Sequence, residues 1–211
     1  FMRGLLLLAV LLSAALTVIG VGVVQLGSGQ ALPPIVTELD ACGLPCWWNI
    51  TPRSTELNEA LDILIAQGYH EFMHDTRYRF IVYDPADLTN CRVNMNYSGR
   101  TVTLLALTLC PGVMLGDVIA FLGEPEGILT SGTALAFRGG HVIVNARMTI
   151  CDPWFAPELP VQSLYFLNAG AAQRRVMATF TLSDAAQAFA WRGFASEAYY
   201  QRVEAGFPVC K

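Results

Sequence analysis

The 211-residue sequence predicts an α+β protein: an N-terminal signal-anchor or transmembrane helix, then two tandem units of helix plus antiparallel sheet, then a C-terminal strand and helix as an appendage. Three observations carry that expectation. Leu109 to Pro125 (LCPGVMLGDVIAFLGEP) holds a Pro-Gly turn, an amphipathic stretch, a glycine stop and a proline that cannot extend a helix. The same grammar occurs about 60 residues earlier in Ile50 to Gly68 (ITPRSTELNEALDILIAQG), as in a degenerate internal repeat. After each of these stretches come short β-rich runs joined by tight turns, and strands joined that way are antiparallel.

Taken in order, Leu5 to Leu26 is an uncharged apolar run preceded by Arg3, long enough to span the roughly 30 Å hydrocarbon core as a helix. A signal-peptide core is usually only about 7 to 15 residues, so the run reads as an uncleaved anchor, with secretion after cleavage near Gly29 or Ala31 as the alternative. With Arg3 inside, the remainder faces outward. A spacer, Gly27 to Pro34, leads to an expected edge strand at Ile35 to Asp40. In the first helix Ser54 or Thr55 is the expected N-cap, and Leu57, Ala60, Leu61, Leu64 and Ile65 form the apolar face.

Strands are then expected at Tyr78 to Tyr83, Cys91 to Tyr97 and Thr101 to Leu107, the last two joined by Ser98-Gly99-Arg100. In the second helix Met114, Leu115, Val118, Ile119 and Leu122 share a face, Gly116, Asp117 and Ala120 look away from it, and Gly123 closes the last turn. Further strands follow at Thr133 to Phe137, His141 to Ile150 and Val161 to Leu167. Last come a strand at Arg175 to Leu182 and a helix capped by Ser183, with Ala186, Phe189 and Ala190 on one side, covering a sheet edge or face. The divisions are residues 1–30 for the anchor and spacer, 31–109 and 110–170 for the two units, and 171–211 for the appendage.

Net charge is −4 and the 13 basic residues are scattered, so no basic stripe exists to neutralise phosphates and nucleic acid is excluded as a partner. Six cysteines, Cys42, Cys46, Cys91, Cys110, Cys151 and Cys210, all follow the apolar leader, as expected of an exported and oxidised chain. Spacing does not choose among their pairings. The sequence lacks a serine nucleophile elbow, a phosphate loop and a dinucleotide fingerprint, and it implies neither enzymatic activity nor a cofactor.

Two stretches offer metal chemistry. His70-Glu71-Phe72-Met73-His74 matches the H-E-x-x-H of zinc hydrolases, in which two histidines one helical turn apart hold the ion and the glutamate activates water. Gly68 ends the preceding helix, however, which puts the stretch in a polar link. Cys42 and Cys46, with His141 far downstream, supply thiolates and an imidazole suited to copper, a set similar to that of membrane-anchored Sco-type copper chaperones. Structural disulfides are the reading adopted for these cysteines. Trp47, Trp48, Trp154 and Phe155, aromatics in loop contexts, are candidate interface anchors, with lids over the core beside the disulfides as the alternative.

Pro111 to Pro125, PGVMLGDVIAFLGEP, resembles the opening of the small outer-membrane-assembly lipoproteins of the BamE/SmpA type and of the tandem-repeat β-lactamase-inhibitor proteins similar to them. In the first unit Arg53 stands where those families carry glycine, and the G-x-P after the helix is missing. The resemblance implies that each opening is followed by an antiparallel sheet, and that the domains bind other proteins without doing chemistry. Pro45 to Pro52 (PCWWNITP) also resembles bacterial envelope proteins with a membrane-anchoring leader. The expected function is that of a membrane-tethered, extracytoplasmic module. Its partner would be another envelope protein or cell-wall-associated material.

Overall fold

The computed structural model describes residues 32–87, 89–129, 134–146, 155–168, 189–194, 199 and 202. The apolar run Leu5 to Leu26, Cys151, Trp154, Cys210, the strand expected at Arg175 to Leu182 and the cap Ser183 lie outside them. Among the described residues no helix is long and apolar enough to cross a membrane.

The chain is α+β, with one antiparallel sheet of eight strands. It opens with α1 (Pro34–Thr37), a 3-10 turn at Glu38–Asp40 and α2 (Leu57–Ala66). Four strands follow as a meander: β1 (Tyr69–Asp75), β2 (Phe80–Pro85), β3 (Arg92–Ser98) and β4 (Thr101–Thr108). Helix α3 (Leu115–Leu122) begins the second run, which continues through β5 (Gly127–Ile128), β6 (Ala134–Phe137), β7 (Val142–Ala146) and β8 (Val161–Phe166). Across the sheet the order is β1-β2-β3-β4-β8-β7-β6-β5, so the last strand of each meander pairs with the other. Leu107 opposes Leu164 at that seam, and the seam and the two strand pairs that flank it are all antiparallel.

Matching hydrogen bonds recur in the two runs. Leu57 N–H donates to the Arg100 carbonyl as Leu115 N–H donates to Leu159, and Val102 N–H donates to Thr55 as Val161 N–H donates to Val113. Each helix start is thereby pinned to the start of its own last strand. Arg53 takes a φ of 67° and Gly112 one of 70° just before the two helices, so the arginine occupies the left-handed conformation that favours glycine.

Several expectations are corrected. Ile35 to Asp40 is helical rather than an edge strand: Pro34 supplies a preset φ in the first turn, Pro33 accepts from Val36 N–H at 2.8 Å, and the turns bury Ile35, Val36 and Leu39. Neither Ser54 nor Thr55 caps α2. Glu56 holds that position without a side-chain bond, while the Thr55 hydroxyl accepts from Thr51 N–H at 2.8 Å. Ala60 and Leu64 are buried as the periodicity requires, but Ile65, expected on the same face, is 58% exposed. In α3, Leu115, Val118 and Leu122 are buried. Gly116 does not look outward: a Cβ there would lie 2.9 Å from the Pro157 side chain, so the loop before β8 closes on the helix through this glycine. Strand β5, a two-residue element, was not expected from the sequence.

Strand register divides the sheet into two faces. Ile81, Tyr83, Val93, Met95, Leu105 and Leu107 alternate toward one face and are all buried. Helix α2 packs against β1 and β4, and burial first, then the carboxylates of Glu71 and of Asp62 on α2, raise the pKa of Tyr83 on that face. Each such aliphatic side chain, fully withdrawn from water, contributes roughly 1.5–3 kcal/mol. On the opposite face the second meander is also closed, with Leu129, Ala134, Ala136, Ile143 and Leu167 forming a buried cluster. The first meander has Asp84, Arg92, Asn94 and Thr108 there, partly exposed.

Candidate binding surface

The face of β1 to β3 turned away from α2 carries a braced polar group. Arg92, first in β3, forms a two-pronged ion pair with Asp84 of β2: Nη2 donates to Oδ2 at 3.0 Å, and Nε donates to Oδ1. Such forked pairing fixes the plane of the guanidinium. The ring of Phe72 lies 4.8 Å from its central carbon, so the cation is also held against an aromatic face. A β-bulge between Glu71 and Met73 brings Phe72 there by adding a residue to the edge strand. His70 stands directly opposite Asp84. His70, Asp84 and Arg92, with Pro85, Asn90 and Leu109, line a depression of about 250 Å³.

Leu109 is held outward, 67% exposed, by a backbone φ of 52°. A non-glycine residue pays on the order of 1–2 kcal/mol for that conformation. The neighbouring disulfide, Cys91–Cys110, and the bond from Leu109 N–H to the Gln162 carbonyl hold it in place. Beside the depression, the amide and hydroxyl of Thr89 hold the Asp87 carboxyl below its usual range and close the β2–β3 loop.

Those residues singled out from the sequence that are described have the following places. His70, Glu71 and His74 lie on strand β1, neither on a helix nor in a loop, because the bulge and the pairing to β2 extend the backbone. His74 Nε2 shares a hydrogen bond with Tyr97 Oη at 2.9 Å, and Nδ1 lies 4.0 Å from Glu71. Cys42 is bonded to Cys46 and Cys91 to Cys110, so both described pairs are disulfides. His141 belongs to the second meander, where Nδ1 lies 3.0 Å from the Leu167 carbonyl. Among the described residues no three His, Cys, Asp or Glu side chains gather where they could hold a metal ion.

The aromatics are largely withdrawn. Trp47 is fully buried and Phe155 nearly so, which agrees with the reading of these two as lids over the core and not with that of surface anchors. Trp47 and Trp48 stack at 4.2 Å, and Trp48 meets Tyr69 edge-on at 5.6 Å. Tyr69 Oη in turn donates to the Cys91 carbonyl at 2.9 Å, a chain of contacts from one disulfide to the other. Phe155 packs on Trp191.

Phe72, Asp84, Asn90, Arg92 and Leu109 were missed by sequence reasoning. The only signal was a carboxylate and a guanidinium in successive β-runs, and it becomes informative only once the register is known. Comparison with protein-family models, with curated proteins and with solved structures returns no match.

Proposed function

We propose that this chain is a non-catalytic protein-binding module of the cell envelope, and that the face of β1 to β3 turned away from α2 is its binding surface. The observation carrying the proposal is the Arg92 guanidinium, clamped by Asp84 and Phe72 beside an outward-held Leu109 and a shallow depression. A rigid Arg, an aromatic ring and an exposed leucine are interface residues, and fixing them before contact lowers the entropic cost of binding.

The finer architecture belongs to the same reading. The two helix-plus-meander runs, with their matching bonds about 60 residues apart, are taken as a duplicated unit. It is akin to the BamE/SmpA-like and β-lactamase-inhibitor-like tandem domains that the Pro111 to Pro125 stretch resembles. The Leu5 to Leu26 run would tether it to the membrane with the disulfides outside.

The test is photo-crosslinking in intact cells, with a photoreactive residue substituted at Leu109. A discrete adduct with one envelope protein is expected, reduced by on the order of tenfold by Arg92→Ala. No adduct, or one indifferent to Arg92→Ala, rejects this surface.

A further inference from the structure

We propose that the edge strand β1 pairs antiparallel with β1 of a second copy, joining two eight-stranded sheets about a two-fold axis. Strand β1 ends the sheet, and its outer side has no strand partner among the described residues. The opposite edge differs: Ile128 and Phe189 exchange both backbone bonds at 2.8 Å, so β5 is covered there. Phe72 and Met73, both large and apolar, are 60% and 44% exposed on β1. A seven-residue edge with such side chains is a template for another strand.

Its own sequence identifies the occupant. Read against itself in reverse, His70-Glu71-Phe72-Met73-His74-Asp75 places His70 opposite Asp75, Glu71 opposite His74 and Phe72 opposite Met73, each pair occurring twice. Every histidine meets a carboxylate and the apolar residues meet each other, the pairings that stabilise facing strands.

The backbone agrees with that register. Ala86 N–H donates to the Gly68 carbonyl, and Tyr97 N–H to Arg79, so residues 80, 82 and 84 of β2 turn their backbone groups toward β1. Their partners on β1 are Asp75, Met73 and His70. Tyr69, Glu71 and His74 therefore aim their amides and carbonyls outward, where Glu71 of one copy and His74 of the other can exchange both bonds.

Faces agree as well. Glu71 opposes Tyr83 and His74 opposes Ile81, both on the α2 side, whereas His70 opposes Asp84 and Asp75 opposes Phe80 on the other. A bulge usually blunts an edge. Here both copies carry it at the same point, and the extra residue of one lies beside that of the other at the axis. A closed two-fold then consumes both edges and stops the assembly at two copies.

Sedimentation of the full chain in detergent micelles, over a concentration series, tests the pairing without touching Arg92 or Leu109. A dimer is expected. Glu71→Lys and His74→Glu should each raise its dissociation constant on the order of tenfold, because each change acts twice across the axis. The exchanged pair, Glu71→His with His74→Glu, should restore it. As a second reading, chains carrying Phe72→Cys mixed with chains carrying Met73→Cys should form a disulfide with each other faster than with themselves. A monomer at every concentration overturns the proposal and leaves the edge to a foreign strand or to none. A dimer indifferent to the single changes, or unrepaired by the exchange, places the contact elsewhere and overturns it equally.

Discussion

Tyr69 connects the two bridged parts of the molecule. Its ring meets Trp48 beyond Cys42–Cys46, and its buried hydroxyl donates to the carbonyl of Cys91. Burial first, and then the charge of Glu38, push its pKa well above the ordinary 10.0. A phenol raised on folding lends its full stability below the unfolded value and loses it as pH climbs toward the folded one. Wild-type stability should therefore fall above pH 10.0, and Tyr69→Phe should reduce that fall. At neutral pH the same variant should lose about 1 kcal/mol, because the Cys91 carbonyl is left without its donor. Urea unfolding at neutral and alkaline pH checks both, and an unchanged alkaline slope in Tyr69→Phe would refute the assignment. The sequence marked this tyrosine only as the residue after Gly68; nothing local says that its hydroxyl will find a backbone carbonyl 22 positions away.

Among elements, the hairpin of β3 and β4 is the most heavily braced. Cys91 immediately precedes β3 and Cys110 lies two positions after β4, so their bond closes the open end of the hairpin. Cys42–Cys46 closes a far shorter loop, with a sequence separation of 4 against 19. On chain entropy, replacing Cys91 and Cys110 by alanine should cost roughly 3 kcal/mol and replacing Cys42 and Cys46 roughly 2. Urea midpoints of the two double variants check the ranking, which a less stable Cys42/Cys46 variant would reverse. Helices α2 and α3, the β3–β4 turn and most strands were legible in the sequence, because periodicity, glycine and proline act over a few residues. The HEFMH stretch was not. Its composition suits a polar link, and it becomes a strand because β2 offers it a partner.

At the scale of the whole molecule, the seam of β4 and β8 makes one sheet of two meanders. Leu107, fully buried, stands at that seam opposite Leu164 and also opposite Val93. Leu107→Ala should cost about 2–5 kcal/mol and lower the protection of amides in β2 and β7 alike, within one unfolding transition. Hydrogen exchange reads this residue by residue; loss confined to β1 to β4 would mean that the meanders unfold separately. The two half-faces turned away from α2 and α3 differ in kind, apolar and buried around Ile143 but polar and accessible around Arg92. That difference is why the first meander is the one proposed as the binding surface.

By itself the sequence determined the α+β class, the two helices with their buried stripes, the order of helix and meander, and cysteines suited to disulfides. Each of these follows from patterns within one element or from composition. Tertiary structure alone decided which cysteines of the described chain pair, that β4 lies against β8, and that Asp84, Arg92 and Phe72 converge. Those outcomes depend on register between strands distant in sequence. A one-residue slip exchanges the two faces of a strand, so only the competition among whole packings selects the register.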